Sequence, residues 1–361
     1  MKLEININKI NDSYHILMGK ALLNRIPKIL KKKPFGSNYA IITDSDVKKL
    51  YGNKLLKDLK KEKIKAILIS FKAGEKRKNR FIKEKIENKI IESGFNRDAA
   101  IIALGGGVAG DLAGFVAATL YRGINFIQVP TTLLAQIDSS MGGKVAVNHP
   151  LGKNLIGAFY QPKLVFIDIN TLKSLSKKDL INGLSEMVKY GLILNKDFFI
   201  FLEKNIKKII NLNEKILISA IKRSCEIKKK VIEKDEKEKN FRKILNFGHT
   251  IGHSLELVSK YKLSHGEAVS IGIVAEAQIS KELNLLKNKD VDRVKRLLEK
   301  ANLPVKLPKN IDSKKLIYAA KFDKKSIKKI PHYVLLERIG KAKLNVKVPN
   351  KIISKVLDGL K

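Results

Sequence analysis

The chain has 361 residues, of which 44% are hydrophobic and 30% charged, a composition that suits a globular protein large enough for two cores. No run of about 18 apolar residues occurs, so we expect no membrane span. The formal net charge of +38 could suggest nucleic-acid binding, but only 10 of the 73 basic residues are Arg, and the lysines are spread along the chain without interleaved aromatic residues. Lys, Ile and Asn have A/T-rich codons, so genome bias explains the excess more simply, and we expect no nucleic-acid partner.

The single cysteine, Cys225, cannot form an internal disulfide, which fits a reducing compartment. The first residues, from Met1 to Asn6, lack the apolar stretch of a secretory signal. Together these features predict a cytoplasmic protein.

Strands and helices are predicted to alternate in the first 172 residues. Short apolar runs bounded by turn residues predict strands at 3–7, 14–18, 39–43, 65–70, 99–104, 124–129 and 163–168, the first two forming a hairpin around 11–13. Helical patterns fall at 22–31, 47–62, 81–94 and 112–120. This alternation indicates an α/β domain with a mostly parallel nucleotide-binding sheet, whose ligands bind at the carboxyl ends of the strands.

A glycine cluster follows the predicted strand at 99–104. Gly105, Gly107 and Gly110 fit the G-x-G-x-x-G pattern, in which glycines let the backbone approach a phosphate and a helix N-terminus attracts the negative charge. The usual acidic residue about 20 positions later is missing, because the next strand ends in Pro130, Thr131 and Thr132. The pattern predicts a pyrophosphate-binding loop of an unusual type. The alternative is a glycine-rich turn that only tightens a strand–helix junction.

Asp44 comes directly after the predicted strand at 39–43. A carboxylate at this end of a parallel sheet can bind ribose hydroxyls. It can equally cap the helix that follows, and the two roles are compatible.

The second half of the sequence has a different pattern, with long amphipathic helices and no predicted strand. Helices are predicted at 178–194, 196–212, 213–238, 240–261, 266–285, 289–301, 313–321 and 351–360, with a break at 303–308. We therefore predict a nucleotide-binding α/β domain at 1–172 and an all-α C-terminal domain, which binds metal and substrate, at 173–361.

Histidines of the second half suggest a metal site. His249 and His253 are spaced i, i+4, which places both rings on one face of a helix. His265 opens the next predicted helix, and Glu186 could add a carboxylate. Two imidazoles, one carboxylate and an open position form a common catalytic zinc site. The alternative is that His249 and His253 are surface or packing residues.

Several basic residues lie outside the long charged runs. Lys144, Lys153 and Lys189 could bind a phosphate or carboxylate as point charges, and Arg122 and Arg242 could clamp one with two hydrogen bonds. For each of them alone, a solvated surface charge is the alternative. A nicotinamide cofactor, a divalent metal and an anionic substrate would together support hydride transfer next to a polarised oxygen.

The sequence resembles a known family, the 3-dehydroquinate synthases of the sugar-phosphate cyclase group. The resemblance extends over most of the chain. Its segments are GGGVAGDLAGF at 105–115, QVPTTLL at 128–134, DSSMGGK at 138–144, NHPLGKN at 148–154, LSEMVKYG at 184–191, NFGHTIGH at 246–253 and HGEA at 265–268.

The resemblance implies a reaction. The substrate would be 3-deoxy-D-arabino-heptulosonate 7-phosphate, and the products 3-dehydroquinate and phosphate, on the shikimate route to aromatic amino acids. The cofactors would be NAD and a divalent metal, Zn or Co. Transient oxidation at C5 would acidify the neighbouring C–H so that phosphate can leave, and re-reduction, ring opening and an internal aldol would follow. We also expect a homodimer.

The resemblance also implies site residues. The metal ligands would be Glu186, His249 and His265, so that His253 moves to the substrate. NAD contacts would be Asp44, Glu75, Lys78, Gly107, Val108, Ala109, Gly110, Asp111, Thr131, Thr132, Lys144, Lys153, Thr171, Leu172, Lys173 and Ser174. Substrate contacts would be Arg122, Asp138, Lys144, Lys153, Asn154, Lys189, Lys228, Arg242, Asn246, His253 and Lys324.

Three other functions compete with this one. A metal- and NAD-dependent polyol dehydrogenase would need no comparable set of lysines, and a related cyclase making another carbocycle would share the metal site. A basic nucleic-acid binder would show affinity that falls steeply with salt.

Overall fold

A computed structural model of the chain describes residues 1–7, 13–321 and 331–361. The chain forms two compact units, Met1–Leu175 and Ser176–Lys361, whereas the sequence analysis placed the boundary after residue 172. Within the described ranges, no helix is both long and apolar enough to cross a membrane.

The first unit contains a mostly parallel sheet. In its described part, strands β1 to β6 and β9 pair in the order β1-β2-β9-β6-β5-β3-β4, with only β1 and β2 antiparallel. The strands of this unit are β1 (Lys2–Ile5), β2 (Tyr14–Gly19), β3 (Tyr39–Asp44), β4 (Ala66–Phe71), β5 (Ala100–Gly105), β6 (Asn125–Pro130), β7 (Lys144–His149), β8 (Gly152–Phe159) and β9 (Leu164–Asp168). The predicted strands and the hairpin are present, although residues 11 and 12 of its turn lie outside the described ranges.

Helices cover both faces of this sheet. They are α1 (Ile26–Lys32), α2 (Ser45–Val47), which continues through a π-helical turn at Lys48–Gly52 into α3 (Asn53–Lys61), α4 (Arg80–Glu92) and α5 (Gly107–Thr119). Side chains of β5 point alternately to the two faces, so Ile101 packs with Ile90 and Leu112 while Ile102 packs with Leu30 and Leu55. Burial on both sides explains why the strand reads as a continuous apolar run.

The antiparallel pair β7–β8 was not predicted. Gly142, Gly143, Pro150 and Gly152 break the period-2 pattern here, so the sequence predicts turns. On β7 all of Val145, Ala146 and Val147 are buried, so alternation is also lost.

The second unit is mainly helical, as expected. Its helices are α6 (Lys177–Leu194), α7 (Lys196–Ile210), α8 (Glu214–Lys234), α9 (His249–Val258), α10 (His265–Glu282), α11 (Asn288–Lys300), α12 (Ser313–Ala320) and α13 (Asn350–Asp358). Side-chain caps fix several helix starts, for example Ser176 Oγ, which accepts from the Asp179 N–H at 3.1 Å.

Two features of this unit differ from the sequence prediction. A hairpin of β10 (Tyr333–Arg338) and β11 (Lys341–Val346) accompanies the helices. In addition, the single helix predicted at 240–261 is wrong: a 3₁₀ segment at Phe241–Asn246 is separated from α9 by Gly248, whose φ is +78°. A left-handed residue cannot continue an α-helix, so α9 begins only after it.

Helices α9 and α10 approach each other at glycine positions. A Cβ on Gly272 of α10 would overlap the carbonyl oxygen of Gly248, which immediately precedes α9. This close approach brings the first residue of α9, His249, next to the helix that starts with His265.

We predict that Gly272→Ala destabilises the protein by about 3 kcal/mol, because the added methyl group forces α9 and α10 apart. Urea unfolding measures this loss. Gly19→Ala is the matched control, since its Cβ would lie 3.8 Å from the nearest Leu22 atoms. A G272A variant within about 0.5 kcal/mol of the unmodified protein would contradict the close packing of these helices.

Candidate functional site

Three side chains from three helices of the second unit converge. The Glu186 Oε1 atom of α6 lies 3.2 Å from His249 Nε2 of α9 and 3.4 Å from His265 Nε2 of α10. One donor atom of each residue lies within 4.8 Å of the other two. Glu186 is completely buried, and the two rings border it.

The second nitrogen of each ring is also held. His249 Nδ1 lies 3.0 Å from the Phe247 carbonyl oxygen, and His265 Nδ1 lies 3.6 Å from Glu256 Oε2. Such outer partners orient an imidazole and leave its Nε2 lone pair free to bind a metal.

Electrostatics favour a negative centre at Glu186. Burial opposes ionisation of this carboxyl, but Lys189 and then His249 outweigh it and hold the pKa of Glu186 well below its usual range. Burial likewise opposes the charge of His265, yet its hydrogen bonds to Glu186 and Glu256 raise the pKa of His265 to about 9. The metal-free site is therefore an anion surrounded by cations.

These donors fit a divalent metal. Two imidazole nitrogens and one carboxylate converge on one point and leave further coordination positions open, which is the ligand set of a catalytic zinc site. Lys189 Nζ contacts the other Glu186 oxygen, Oε2, so Oε1 remains directed to the histidines.

His253 lies beside this group. Its ring centroid is 5.3 Å from that of His249 and 6.4 Å from that of His265. The i, i+4 spacing does bring His249 and His253 together, but the converging donor set consists of Glu186, His249 and His265. This placement agrees with a role for His253 other than metal binding.

Basic residues of the second unit are deeply buried. Lys189, Lys228 and Arg242 are each less than 5% exposed. Arg242 donates from Nη1 to the Glu236 carbonyl, and Asn246 Nδ2 donates to Glu238 Oε1 at 3.2 Å. Buried cations are rare because desolvation is costly, so three of them in one unit suit an anionic ligand.

In the first unit, the carboxyl ends of neighbouring strands bring several predicted residues to one edge of the sheet. Gly105 ends β5 with φ of +153°, and α5 begins at Gly107, which leaves the N–H groups of Gly107, Val108 and Ala109 at a helix N-terminus, while the Gly110 N–H donates to the Gly106 carbonyl at 3.0 Å. Thr131 donates its N–H to the Gly105 carbonyl at 2.9 Å, and Thr132 Oγ1 accepts from the Ala135 N–H. The geometry suits a bound pyrophosphate.

Asp44 ends β3 next to β5 and caps α2. Its Oδ1 accepts from the N–H groups of Asp46 and Val47, both at 3.0 Å. A Cβ on Gly105 would lie 3.4 Å from Asp44 Oδ2, so the second oxygen borders the glycine loop. Both roles that the sequence left open are compatible with this position.

The Lys78 side chain contacts two other residues that were predicted to lie in the functional site. The residue is 4% exposed, and its Nζ lies 2.5 Å from both Asp111 Oδ2 and Asn154 Oδ1. Burial raises the pKa of Asp111, although the Lys78 charge opposes this. Glu75 lies in the same loop, and its Oε1 accepts from Asn148 Nδ2 at 2.7 Å.

The turn after β9 is a 3₁₀ segment, Ile169–Ser174. Thr171 Oγ1 donates to the Asp168 carbonyl at 2.8 Å, and Ser174 Oγ lies 2.5 Å from the Tyr51 hydroxyl. Leu172 is buried and Lys173 is exposed. This turn lies at the same sheet edge as the glycine loop, because β9 is parallel to β6.

The remaining predicted residues lie nearer the surface. Arg122 is exposed and has φ of +65°, Lys144 is exposed at the start of β7, and Asp138 and Lys153 are partly buried. Lys324 lies outside the described ranges.

Sequence reasoning missed three residues that support the predicted ones. Glu256 faces His265 from the third helical turn of α9, and the fully buried Glu276 accepts the Gly248 N–H at 2.7 Å. Asn148 contacts both Glu75 and Asn154. The spacing of His249, His253 and Glu256, at i, i+4 and i+7, was a signal that could have identified Glu256.

Two family profiles match the chain. The one described as 3-dehydroquinate synthase N-terminal matches residues 68–182, and the one described as 3-dehydroquinate synthase C-terminal matches residues 183–326. A relative from Thermodesulfovibrio yellowstonii, named 3-dehydroquinate synthase, is 46% identical over 347 residues, which cover 96% of this chain and 97% of that protein.

Solved structures agree with these matches. A 2-deoxy-scyllo-inosose synthase, complexed with carbaglucose-6-phosphate, NAD⁺ and Co²⁺, superposes with a TM-score of 0.90 at 28% identity over 100% of both chains. ValA, the 2-epi-5-epi-valiolone synthase of Streptomyces hygroscopicus subsp. jinggangensis with NAD⁺ and Zn²⁺ bound, gives 0.89 at 25% identity over 98% of both. The fold is thus that of the dehydroquinate synthase-like sugar-phosphate cyclases. Within this class, the chain belongs to the 3-dehydroquinate synthase family.

We predict that His265→Ala abolishes stoichiometric zinc binding, whereas His253→Ala retains it, because only the first removes a converging donor. Metal content after dialysis, measured by plasma emission spectrometry, separates the two variants. Equal zinc content in H265A and the unmodified protein would refute the proposed ligand set.

Metal binding should also release a proton. At pH 7.5 the metal-free His265 carries its proton, because its pKa is about 9, and a metal can bind only the neutral ring. Zinc titrations by calorimetry, in Hepes and in Tris, should therefore give enthalpies that differ at pH 7.5 by about the difference between the ionisation enthalpies of the two buffers, and the proton release should fall as the pH passes 9. Identical enthalpies in both buffers at pH 7.5 would contradict this charge state.

Proposed function

We propose that the chain converts 3-deoxy-D-arabino-heptulosonate 7-phosphate to 3-dehydroquinate and phosphate. The observation that carries this proposal is the Glu186, His249 and His265 donor set in a chain that matches 3-dehydroquinate synthases over nearly its whole length. The first unit would bind NAD, and the second would bind the metal and the substrate.

The reaction needs a temporary electron sink. The substrate carbon that loses its proton has no neighbouring carbonyl until the C5 hydroxyl is oxidised. Bound NAD would supply reversible hydride acceptance, and a bound Zn²⁺ or Co²⁺ would polarise the substrate oxygen. Because the hydride is returned, the overall conversion produces no net NADH.

Residues of the second unit would bind the metal and the substrate. Glu186, His249 and His265 would hold the metal, and Lys189 would keep the unused Glu186 oxygen neutralised. Lys228, Arg242 and Asn246 would bind the anionic substrate from buried or half-buried positions. His253, whose ring lies beside those of His249 and His265, would touch the substrate and move a proton.

Residues of the first unit would hold the cofactor. The α5 N-terminus from Gly107 to Asp111 would bind the pyrophosphate, and Asp44 would bind ribose hydroxyls. Glu75, Lys78, the threonines after β6 and the turn Thr171 to Ser174 would complete the contacts. Arg122, Asp138, Lys144, Lys153 and Asn154 would contact the substrate, with Lys144 and Lys153 also near NAD.

A related cyclase that makes another carbocycle is the second candidate. The two solved synthases share this fold and were solved with NAD⁺ and Co²⁺ or Zn²⁺. Identity favours the first candidate, because the 3-dehydroquinate synthase relative is 46% identical and these synthases are 28% and 25% identical. The homodimer and the cytoplasmic location stay predictions.

We predict that the protein, supplied with NAD and Zn²⁺ or Co²⁺, releases one phosphate per heptulosonate phosphate while absorbance at 340 nm stays flat after any initial transient. A phosphate assay run beside the absorbance trace measures both. Lasting NADH build-up in proportion to substrate would indicate a dehydrogenase. A second arm with glucose 6-phosphate in place of the heptulosonate distinguishes a related cyclase.

A further inference from the structure

Asn148 lies at an irregularity of the β7–β8 hairpin. The pairing shifts register between Val147 and His149, so Asn148 does not pair with β8 in the regular ladder. Its backbone N–H instead donates to the Lys78 carbonyl at 2.8 Å. A bulge of this kind redirects one residue out of a strand, here toward the loop that contains Lys78.

The side chain of Asn148 connects two segments that are far apart in sequence. Its Nδ2 donates to Glu75 Oε1 at 2.7 Å, and its Oδ1 accepts the Asn154 N–H at 3.0 Å. Only one orientation of the amide satisfies both contacts, because a carboxylate accepts and a backbone N–H donates. No other uncharged side chain of this length offers a donor and an acceptor on one planar group.

Asn154 has a φ of +55°, a left-handed conformation that Asn adopts more readily than most residues with a side chain, and hydrogen bonds hold it there. Lys78 Nζ donates to its Oδ1 at 2.5 Å and also contacts Asp111 Oδ2. The backbone of Asn154 is thus held by Asn148 and its side chain by Lys78, a member of the loop that Asn148 also contacts.

We propose that Asn148 is a positioning residue that links the loop Glu75 to Lys78 with Asn154. This inference rests on the proposed function, in which Glu75 and Lys78 contact NAD and Asn154 contacts the substrate. Asn148 touches neither ligand in this account. Asn148 fixes the distance between the loop Glu75 to Lys78, which would contact NAD, and Asn154, which would contact the substrate. When NAD orders its loop, Asn154 is therefore also held in place for the substrate, and the reverse is equally true.

The link predicts a reciprocal effect on the two ligands. If bound NAD makes substrate binding more favourable by a certain free energy, then bound substrate must make NAD binding more favourable by the same amount. Loss of both Asn148 side-chain contacts should remove this coupling and weaken the binding of both ligands, whereas a merely structural residue would lower stability and leave the affinities of the folded protein unchanged.

Two substitutions separate the two contacts. Asn148→Asp keeps an oxygen for the Asn154 N–H but loses the donor to Glu75 and places two carboxylates together. Asn148→Ala loses both contacts. We expect N148D to raise the Kd for NAD about tenfold, measured by calorimetry on the metal-loaded protein, and to raise the KM for heptulosonate phosphate by less than threefold. We expect N148A to raise both values about fivefold.

A second substitution should rescue the first. In the N148D background, Glu75→Gln supplies an amide donor to the new carboxylate, which restores the hydrogen bond in the opposite direction. Because Glu75 is itself a proposed NAD contact, E75Q alone should weaken NAD binding. We expect the N148D/E75Q double variant to bind NAD at least threefold more tightly than the two single effects combined would give. Leu151→Ala, at the 85% exposed tip of the same hairpin, is the matched control and should change neither constant.

The possible outcomes separate this inference from the proposed function. NAD affinity is measured without turnover, so the rescue can succeed even if the protein fails to release phosphate. Equal Kd values for N148D and the unmodified protein, or effects of N148D and E75Q on NAD binding that simply add in free energy, would overturn the role of Asn148. Thermal unfolding of each variant shows whether it is folded, and a variant that shifts only its unfolding midpoint, with unchanged Kd and KM, also counts against the proposal.

Discussion

A fully buried carboxylate is the constraint on which the second unit depends. Glu186 has no access to solvent, and a carboxylate in that position is costly unless cations or hydrogen-bond donors face it. Lys189, His249 and His265 supply them from the same helix and from two others. Removal of any one partner would leave part of the negative charge uncompensated, so the ion cluster and the packing of α6, α9 and α10 depend on each other.

The backbone makes this convergence possible. The left-handed Gly248 ends the 3₁₀ segment and starts α9 at His249, while Gly272 lets α10 lie against that turn. The buried Glu276 carboxylate accepts the Gly248 N–H and so fixes the residue before His249, one of the three converging donors. A divalent ion placed among the three donor atoms would replace the proton on His265, and its charge would stabilise Glu186 more strongly than the histidines do.

In the first unit, the order of the parallel strands brings the predicted cofactor residues together. The parallel strands β3, β5, β6 and β9 are neighbours, so Asp44, Gly105, Thr131 and the turn Ile169–Ser174 must share one edge of the sheet. The α5 N-terminus adds unsatisfied N–H groups to the same edge. The hairpin β7–β8 then brings Asn154 to Lys78 and Asp111, which a pattern of alternating strands and helices alone could not provide.

Much of this arrangement could be predicted from the sequence. Continuous apolar runs such as 99–104 identify buried parallel strands, and glycines followed by a helix mark the sheet edge at which the predicted cofactor residues lie. The metal ligands could not be derived from spacing alone, because the i, i+4 pair His249 and His253 suggested a different set, and the resemblance to a family corrected it. The hairpin β7–β8 was missed because glycine, proline and burial on both sides remove the period-2 pattern. Strand β10 is likewise buried over its first four residues, but Lys341–Val346 of β11 does alternate polar and apolar residues, a signal that was overlooked. Asn148 and Glu276 act through long-range backbone contacts, which leave no local signal in the sequence.

Anomalous diffraction from zinc-loaded crystals tests the central claim most directly, since data on either side of the zinc edge locate the ion without reference to activity. We expect one strong peak at about 2.0–2.2 Å from His249 Nε2, His265 Nε2 and a Glu186 carboxylate oxygen. A peak coordinated by His253 in place of His265, or full zinc occupancy away from Glu186, would contradict it.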